Sequence, residues 1–269
     1  MLHIYGTVYN NANRVKQSID SIMKINVEKS IYIIDNYSTD GTYEILKEVS
    51  KKIPNIYIKR EKCSRGKGRQ LAMEMAKDKA DDNDLFMTFD LDTIYTENFI
   101  KAIEWGVKNI GKKDIFINFL CYKNTNFEVP WRDLNYGEDI ERLAHFCYLG
   151  YNCLSLDKKI QLNFNEEVGY NREKRYSSGF SYYKRLLNNS VDLFIGWGID
   201  NFKKYKKYLY FIKDKVTRKK YVYLSIVLFL IFVYIKIFRE TYSYSDEINR
   251  IYINSKVKIV DIFQSANYK

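Results

Sequence analysis

Leu85-Phe86-Met87-Thr88-Phe89-Asp90-Leu91-Asp92 is an apolar run that closes on two aspartates one residue apart. The run reads as a buried strand, and in an extended chain residues i and i+2 share a side. Asp90 and Asp92 are therefore expected to present two carboxylates together at the carboxyl end of a strand, where open α/β sheets bind ligands. A hard divalent cation takes such oxygens, often one or two carboxylates plus substrate phosphates. An isolated Asp-x-Asp carries little weight, because solvated turns contain it too. The segments around it supply the context.

Two earlier apolar runs end in the same manner. His3 to Tyr9 leads into Asn10-Asn11, and Ile31 to Ile34 leads into Asp35-Asn36-Tyr37-Ser38-Thr39-Asp40-Gly41-Thr42. Both are short, β-branched or aromatic, and bounded by turn formers, so both read as strands. Val15, Ile19, Ile22 and Met23 recur at helical spacing between them. Asp40 precedes Tyr43, Ile45, Leu46 and Val49, where it would cap a helix. Ile56-Tyr57-Ile58 reads as a further strand, and Leu71, Met75 and Ala76 as the apolar side of a third helix. This alternation over roughly the first 120 residues predicts an α/β fold, a mostly parallel sheet with helices on both faces.

The motifs then follow in a fixed order: Asn10-Asn11, Asp35 to Thr42, Arg65-Gly66-Lys67-Gly68-Arg69, Asp90-Leu91-Asp92 and Gly137-Glu138-Asp139. Over about residues 1–155 this order resembles the family-2 glycosyltransferases of the GT-A (Rossmann-like) fold. Asp35-Asn36 stands where many members carry two aspartates, a substitution the family tolerates. A Gln-x-x-Arg-Trp segment is absent, which argues against a processive polymer synthase.

The resemblance implies metal-dependent, inverting transfer from a UDP- or GDP-linked sugar, with Mg2+ or Mn2+ as cofactor. It assigns the metal to Asp92, the ribose to Asp90 and the nucleobase to Asp35, and it puts Asp40 near the nucleotide. Arg69 matches the family's usual arginine, and Asp139 its general base, with Glu138 next. The residues themselves admit plainer roles. Asp40 can be a helix cap, and Tyr9 can stack on a base or simply pack. Gly6 and Thr7 lie where backbone could approach the base. Lys62, Arg65, Lys67 and Arg69, with Gly66 and Gly68, form either a phosphate-binding loop before the third helix or a solvated basic turn. Glu138 and Asp139 also complement the dipole of a helix whose apolar face is Ile140, Leu143, Ala144 and Phe146. Trp131 fits an acceptor sugar or the core.

Composition sets the bounds. A chain of 269 residues, 46% apolar, holds one domain of ordinary size and something more. With the first strand beginning almost at Met1, no signal peptide is expected. Cys63, Cys121, Cys147 and Cys153 form no Cys-x-x-Cys pair and are joined by only two His, so scattered, reduced thiols are expected. The net charge of +11 gathers between Lys203 and Lys220, interleaved with aromatic and aliphatic residues. Nucleic-acid grooves mix these types as well, but here an apolar run from Tyr221 to Phe238 follows directly. That favours a membrane surface, with membrane lipids and not nucleic acid as partners.

The expected layout is a catalytic domain over 1–200, a basic amphipathic segment over 201–220, a transmembrane or membrane-embedded helix over 221–238 and a tail over 239–269. The basic cluster keeps the catalytic domain on the cytoplasmic face. The tail lies outside if the helix crosses, and inside if it does not. The acceptor would be a lipid-linked molecule, a polyprenyl phosphate or a surface glycan. Two alternatives stand beside this reading. A sugar-phosphate nucleotidyltransferase would carry a Gly-rich basic loop after the first strand, which Tyr9 to Asn13 is not. An inactive membrane-attached scaffold would have no need of intact acidic motifs.

Overall fold

The computed structural model describes residues 1–156, 190–192, 194–196, 198–199, 201–213, 218–238 and 258–259. The strands are β1 (Leu2–Val8), β2 (Lys29–Asp35), β3 (Ile56–Arg60), β4 (Leu85–Thr88), β5 (Asp114–Ile115), β6 (Cys121–Tyr122), β7 (Asn152–Ser155) and β8 (Lys258–Ile259). The helices are α1 (Val15–Met23), α2 (Thr42–Lys52), α3 (Arg65–Glu74), α4 (Glu97–Asn109), α5 (Lys123–Glu128), α6 (Glu138–Tyr148), α7 (Phe202–Lys213) and α8 (Arg218–Phe238).

The main sheet has the order β3-β2-β1-β4-β6, parallel except for antiparallel β6. β1 lies at its centre and is buried on both faces, as strands covered by helices on each side must be. Leu2 and Ile4 point into a core with Val15, Ile19, Leu46 and Phe99, contributed by α1, α2 and α4. Tyr5, Tyr32, Ala72, Met73, Phe86 and Trp131 form the opposite core beneath α3. The period of two along β1 thus divides the domain into its layers. Each fully buried Ile or Phe contributes roughly 1.5–3 kcal/mol relative to exposure. Register pairs Val8 with Asp35 and Tyr5 with Thr88, so the loops after β1, β2 and β4 leave the sheet at one edge.

Several boundaries differ from the sequence reading. β4 stops at Thr88, and Asp90 and Asp92 stand in a turn closed by the Thr93 N–H on the Asp90 carbonyl at 3.2 Å. Phe89 and Leu91 are buried there while both aspartates are exposed. α3 begins at Arg65, which places Arg65, Lys67 and Arg69 inside the helix and not before it. The thiols are free but not all scattered: Cys147 Sγ lies 2.9 Å from Cys153 Sγ.

Beyond β7, α7 and α8 pack together. Tyr205 of α7 stacks on Phe232 at 5.1 Å between ring centroids and donates its hydroxyl to the Ser225 carbonyl at 2.9 Å. Phe194 and Ile199 complete this cluster with Leu228, Ile231 and Ile235. α8 starts at Arg218, taking in the end of the segment expected to be merely basic. All of 157–189 and most of the tail lie outside the described residues. The exception in the tail is β8, which pairs in parallel with β7 through Lys258 and Ile259.

Candidate functional site

The loops at the carboxyl edge are tied to one another. The Asn10 N–H donates to Ser38 Oγ at 2.9 Å, and Asn10 Oδ1 accepts from the Thr39 N–H at 2.9 Å. The Asn11 side chain donates to the Leu91 carbonyl at 2.5 Å, and Asn36 Oδ1 accepts from the Cys63 N–H at 3.0 Å. Asp40 belongs to this lattice. Its oxygens accept from the N–H groups of Ala12 at 2.9 Å and Thr42 at 3.1 Å. Burial alone would raise its pKa, but these bonds hold it below the usual carboxylate value. Asp40 therefore clamps the first loop to the start of α2, whose N-cap position is Gly41.

Asp35 closes β2 and is fully buried. Its Oδ2 accepts from the Ser38 N–H at 3.1 Å and lies 3.1 Å from Arg60 Nε. Arg60 is held between the rings of Tyr37 and Tyr43, at 5.0 and 4.6 Å. The other oxygen, Oδ1, is buried without a hydrogen-bond partner. Such an acceptor costs roughly 1–3 kcal/mol unless a donor reaches it. Tyr9 and Tyr37 stand at this edge, each 54% exposed, with the Tyr37 ring against Arg60. Gly6 does not face the same space, since a Cβ there would meet the Phe89 carbonyl at 2.5 Å. Thr7 also turns inward and donates to the Ile34 carbonyl at 3.0 Å.

Arg69 joins two of the motifs. Its Nη2 donates to Asp90 Oδ1 and its Nη1 to Glu138 Oε1, both at 2.7 Å. Its guanidinium lies 4.8 Å from the Trp131 ring centroid. Burial works against this charge, yet Asp90 and Glu138 together raise its pKa above the usual value. Glu138 is 1% exposed, and burial pushes its pKa up despite Arg69. Asp92 makes no ion pair or hydrogen bond among the described residues. No group of three or more His, Cys, Asp or Glu that could hold a metal occurs among them either. Hard carboxylate oxygens at a ligand edge fit Mg2+ or Mn2+ only if donor phosphates and water complete the shell.

The start of α3 is not a phosphate cradle. The Arg65 N–H meets Asn135 Oδ1 at 3.3 Å, Gly66 N–H the Leu134 carbonyl at 2.9 Å, and Lys67 N–H Ser64 Oγ at 3.1 Å. With these donors engaged, the helix terminus has no N–H left to offer an anion. The glycines serve packing. A Cβ on Gly66 would lie 1.9 Å from the Arg132 carbonyl oxygen, and one on Gly68 2.4 Å from Thr7 Oγ1.

α6 buries Glu138, Glu141, Arg142, Ala144 and Phe146, while Ile140, expected on the apolar face, is 38% exposed. Arg142 was not singled out by the sequence. It is fully buried and donates to the Tyr5 hydroxyl at 2.7 Å, the Val129 carbonyl at 2.9 Å and Asn126 Oδ1 at 2.9 Å. Trp131 is core: its Nε1 donates to the Tyr5 hydroxyl at 3.1 Å, and it is only 4% exposed. Charged residues at i, i+3 and i+4 on the side of Phe146 were the available signal. Asp139 turns the other way, exposed, with Oδ1 accepting from the Ile140 N–H at 2.8 Å.

The model of the family described as glycosyl transferase family 2 matches residues 5–166. A mannosyltransferase from Pyrobaculum calidifontis, solved with GDP-Man and Mn2+, has a TM-score of 0.49 at 12% identity over 88% of this chain and 87% of that one. TarS from S. aureus has a TM-score of 0.48 at 13% identity over 72% of this chain, which spans 39% of that structure. The TarS 1-349 complex with UDP has a TM-score of 0.46 at 12% identity over 72% of this chain and 80% of that one. No curated protein matches the sequence. The family match runs from within β1 to beyond β7 and takes in each of the loops above, and on it the chain belongs to glycosyl transferase family 2, as a glycosyltransferase of the GT-A fold.

Proposed function

We propose that the protein transfers a sugar with inversion from a UDP- or GDP-linked donor to a lipid-linked, polyprenyl-phosphate or surface-glycan acceptor, at the cytoplasmic face of a membrane. The observation that carries this is the buried Arg69, which fixes Asp90 of one motif to Glu138 of another across the ligand edge. Asp35 would accept from a base N–H at the end of β2, with Tyr9 stacking on the ring. Asp90 is left one oxygen for ribose. Asp92 would hold Mg2+ or Mn2+, which when bound neutralises charge on the diphosphate.

Glu138 is occupied by Arg69, so Asp139 is the better base. An acceptor hydroxyl attacks the anomeric carbon, its proton passes to Asp139, and the carbon–oxygen bond to the β-phosphate breaks with the electron pair leaving on the nucleoside diphosphate. A phosphate acceptor is already nucleophilic and would need no base. The test is a donor screen with the full chain and membrane-extracted acceptors, scoring nucleoside diphosphate release with Mg2+, Mn2+ or chelator. Release from a UDP- or GDP-sugar is expected; turnover unaffected by chelator would overturn the metal assignment.

A further inference from the structure

We propose that α8 docks flat in the interface of an anionic bilayer, without crossing it. This rests on the membrane reading above and fixes its geometry. Val222, Ile226, Phe229, Leu230 and Ile237 form an exposed apolar face along the whole helix. An 18-residue window of α8 is apolar enough to span, and about 1.5 Å per residue would carry it most of the way across a hydrocarbon core.

Two observations argue against crossing. The opposite face, Leu228, Ile231 and Ile235, is covered by Phe194, Ile199 and Tyr205, and Tyr205 sits against the middle of α8. A spanning α8 would draw its partner helix, with Lys203, Lys204 and Lys206, into hydrocarbon. Lys258 and Ile259, beyond α8, pair with Leu154 and Ser155 of β7, in a second, three-stranded sheet of order β5-β7-β8 within the family-matched part of the fold. The strand pairing places the chain on both sides of α8 with the catalytic domain, and so on one face of the bilayer. Exposed Lys203 and Lys206 supply the charge complementary to anionic headgroups. The same unit touches the acceptor motif: the Asn135 N–H donates to Asp192 Oδ2 at 3.1 Å, two residues before Gly137.

The full-length protein carrying epitopes at both ends is tested for protease access in spheroplasts and in inverted membrane vesicles. Both epitopes should be cut only in inverted vesicles. A C-terminal epitope cut in spheroplasts, with the N-terminal one protected, would show a crossing helix and overturn the in-plane geometry while leaving the membrane reading intact. In parallel, purified protein is sedimented with phosphatidylcholine vesicles with and without phosphatidylglycerol. The exposed-face variant Ile226→Asp/Leu230→Asp should bind the anionic vesicles about tenfold less, with unchanged thermal melting. Absence of vesicle binding by the parent would remove the membrane reading itself. Dissociation of a parent dimer by the same variant, without vesicle binding, would assign the face to a second copy instead.

Discussion

Replacing Arg69 by Met removes a guanidinium that bonds Asp90 and Glu138, each at 2.7 Å. The two halves are unequal. The Asp90 side chain is 56% exposed, so its pair is of the surface type, worth at most about 1 kcal/mol. Glu138 is 1% exposed, its Oε2 already lacks a partner, and the next cation, Arg65, stands 3.7 Å away on a mostly exposed side chain. Breaking a buried pair and stranding one charge costs about 3–5 kcal/mol. Arg69→Met should therefore lose about that much, a large share of the roughly 5–15 kcal/mol that holds a domain folded. Adding Glu138→Gln removes the stranded charge and should recover at least half of the loss, whereas Asp90→Asn alone should cost under about 1 kcal/mol.

The pH dependence has a definite sign. Burial already holds the folded-state pKa of Glu138 above its ordinary 4.5, and loss of Arg69 raises it further. A carboxyl raised in the folded state contributes stability that is full below the unfolded pKa and is lost as pH rises through the folded one. Arg69→Met should thus lie nearer the parent at pH 5 than at pH 8. Urea unfolding followed by tryptophan fluorescence, run as a double-mutant cycle, measures all of this. A loss below about 1 kcal/mol at pH 8, or no recovery on adding Glu138→Gln, would refute the idea that Arg69 compensates a buried carboxylate.

Burial pushes Glu141 up to about 7 against a weak pairing with Arg132 at 3.5 Å. By the same sign, its contribution is full below pH 4.5 and is lost as pH climbs to 7. At about 1.4 kcal/mol per pH unit this amounts to about 3 kcal/mol, and Glu141→Gln should flatten that part of the stability–pH curve. Asp92→Ala should abolish the Mn2+-dependent part of UDP or GDP binding in calorimetry while leaving the melting temperature unchanged, since the residue is exposed in a turn. Asp139→Asn should lower turnover by about 10²–10⁴ with donor affinity preserved, as loss of a general base does. Near-normal turnover would point to a phosphate acceptor.

The layered sheet was legible because strand and helix periods alternate cleanly from β1 to α3, and the acidic motifs at Asp35 and Asp90 were legible because each ends an apolar run. What escaped depended on distant partners. Gly66 and Gly68 read alike whether a phosphate or a neighbouring chain lies against them, and the neighbour at Gly66 is the backbone of Arg132, far along the sequence. Trp131 had two plausible environments, and only the hydroxyl of Tyr5 distinguishes them. On α6 the buried side includes Glu138, Glu141 and Arg142 beside Ala144 and Phe146, and leaves out Ile140. The charged residues are buried because Arg69 and Tyr5 supply partners for side chains that would otherwise stay in water.

The cross-bonded loops at the carboxyl edge have a kinetic consequence. The Asn10 amide is held by the loop after β2, the Asn11 side chain reaches the loop after β4, and Asn36 ties down the entry to α3. None of these segments can open without breaking a bond to another. Their amides should therefore exchange with deuterium as one cooperative group, not loop by loop. Nucleotide bound against Asp35 alone should slow exchange across the whole set, including Ala12 and Cys63, by the same factor that it stabilises the closed arrangement.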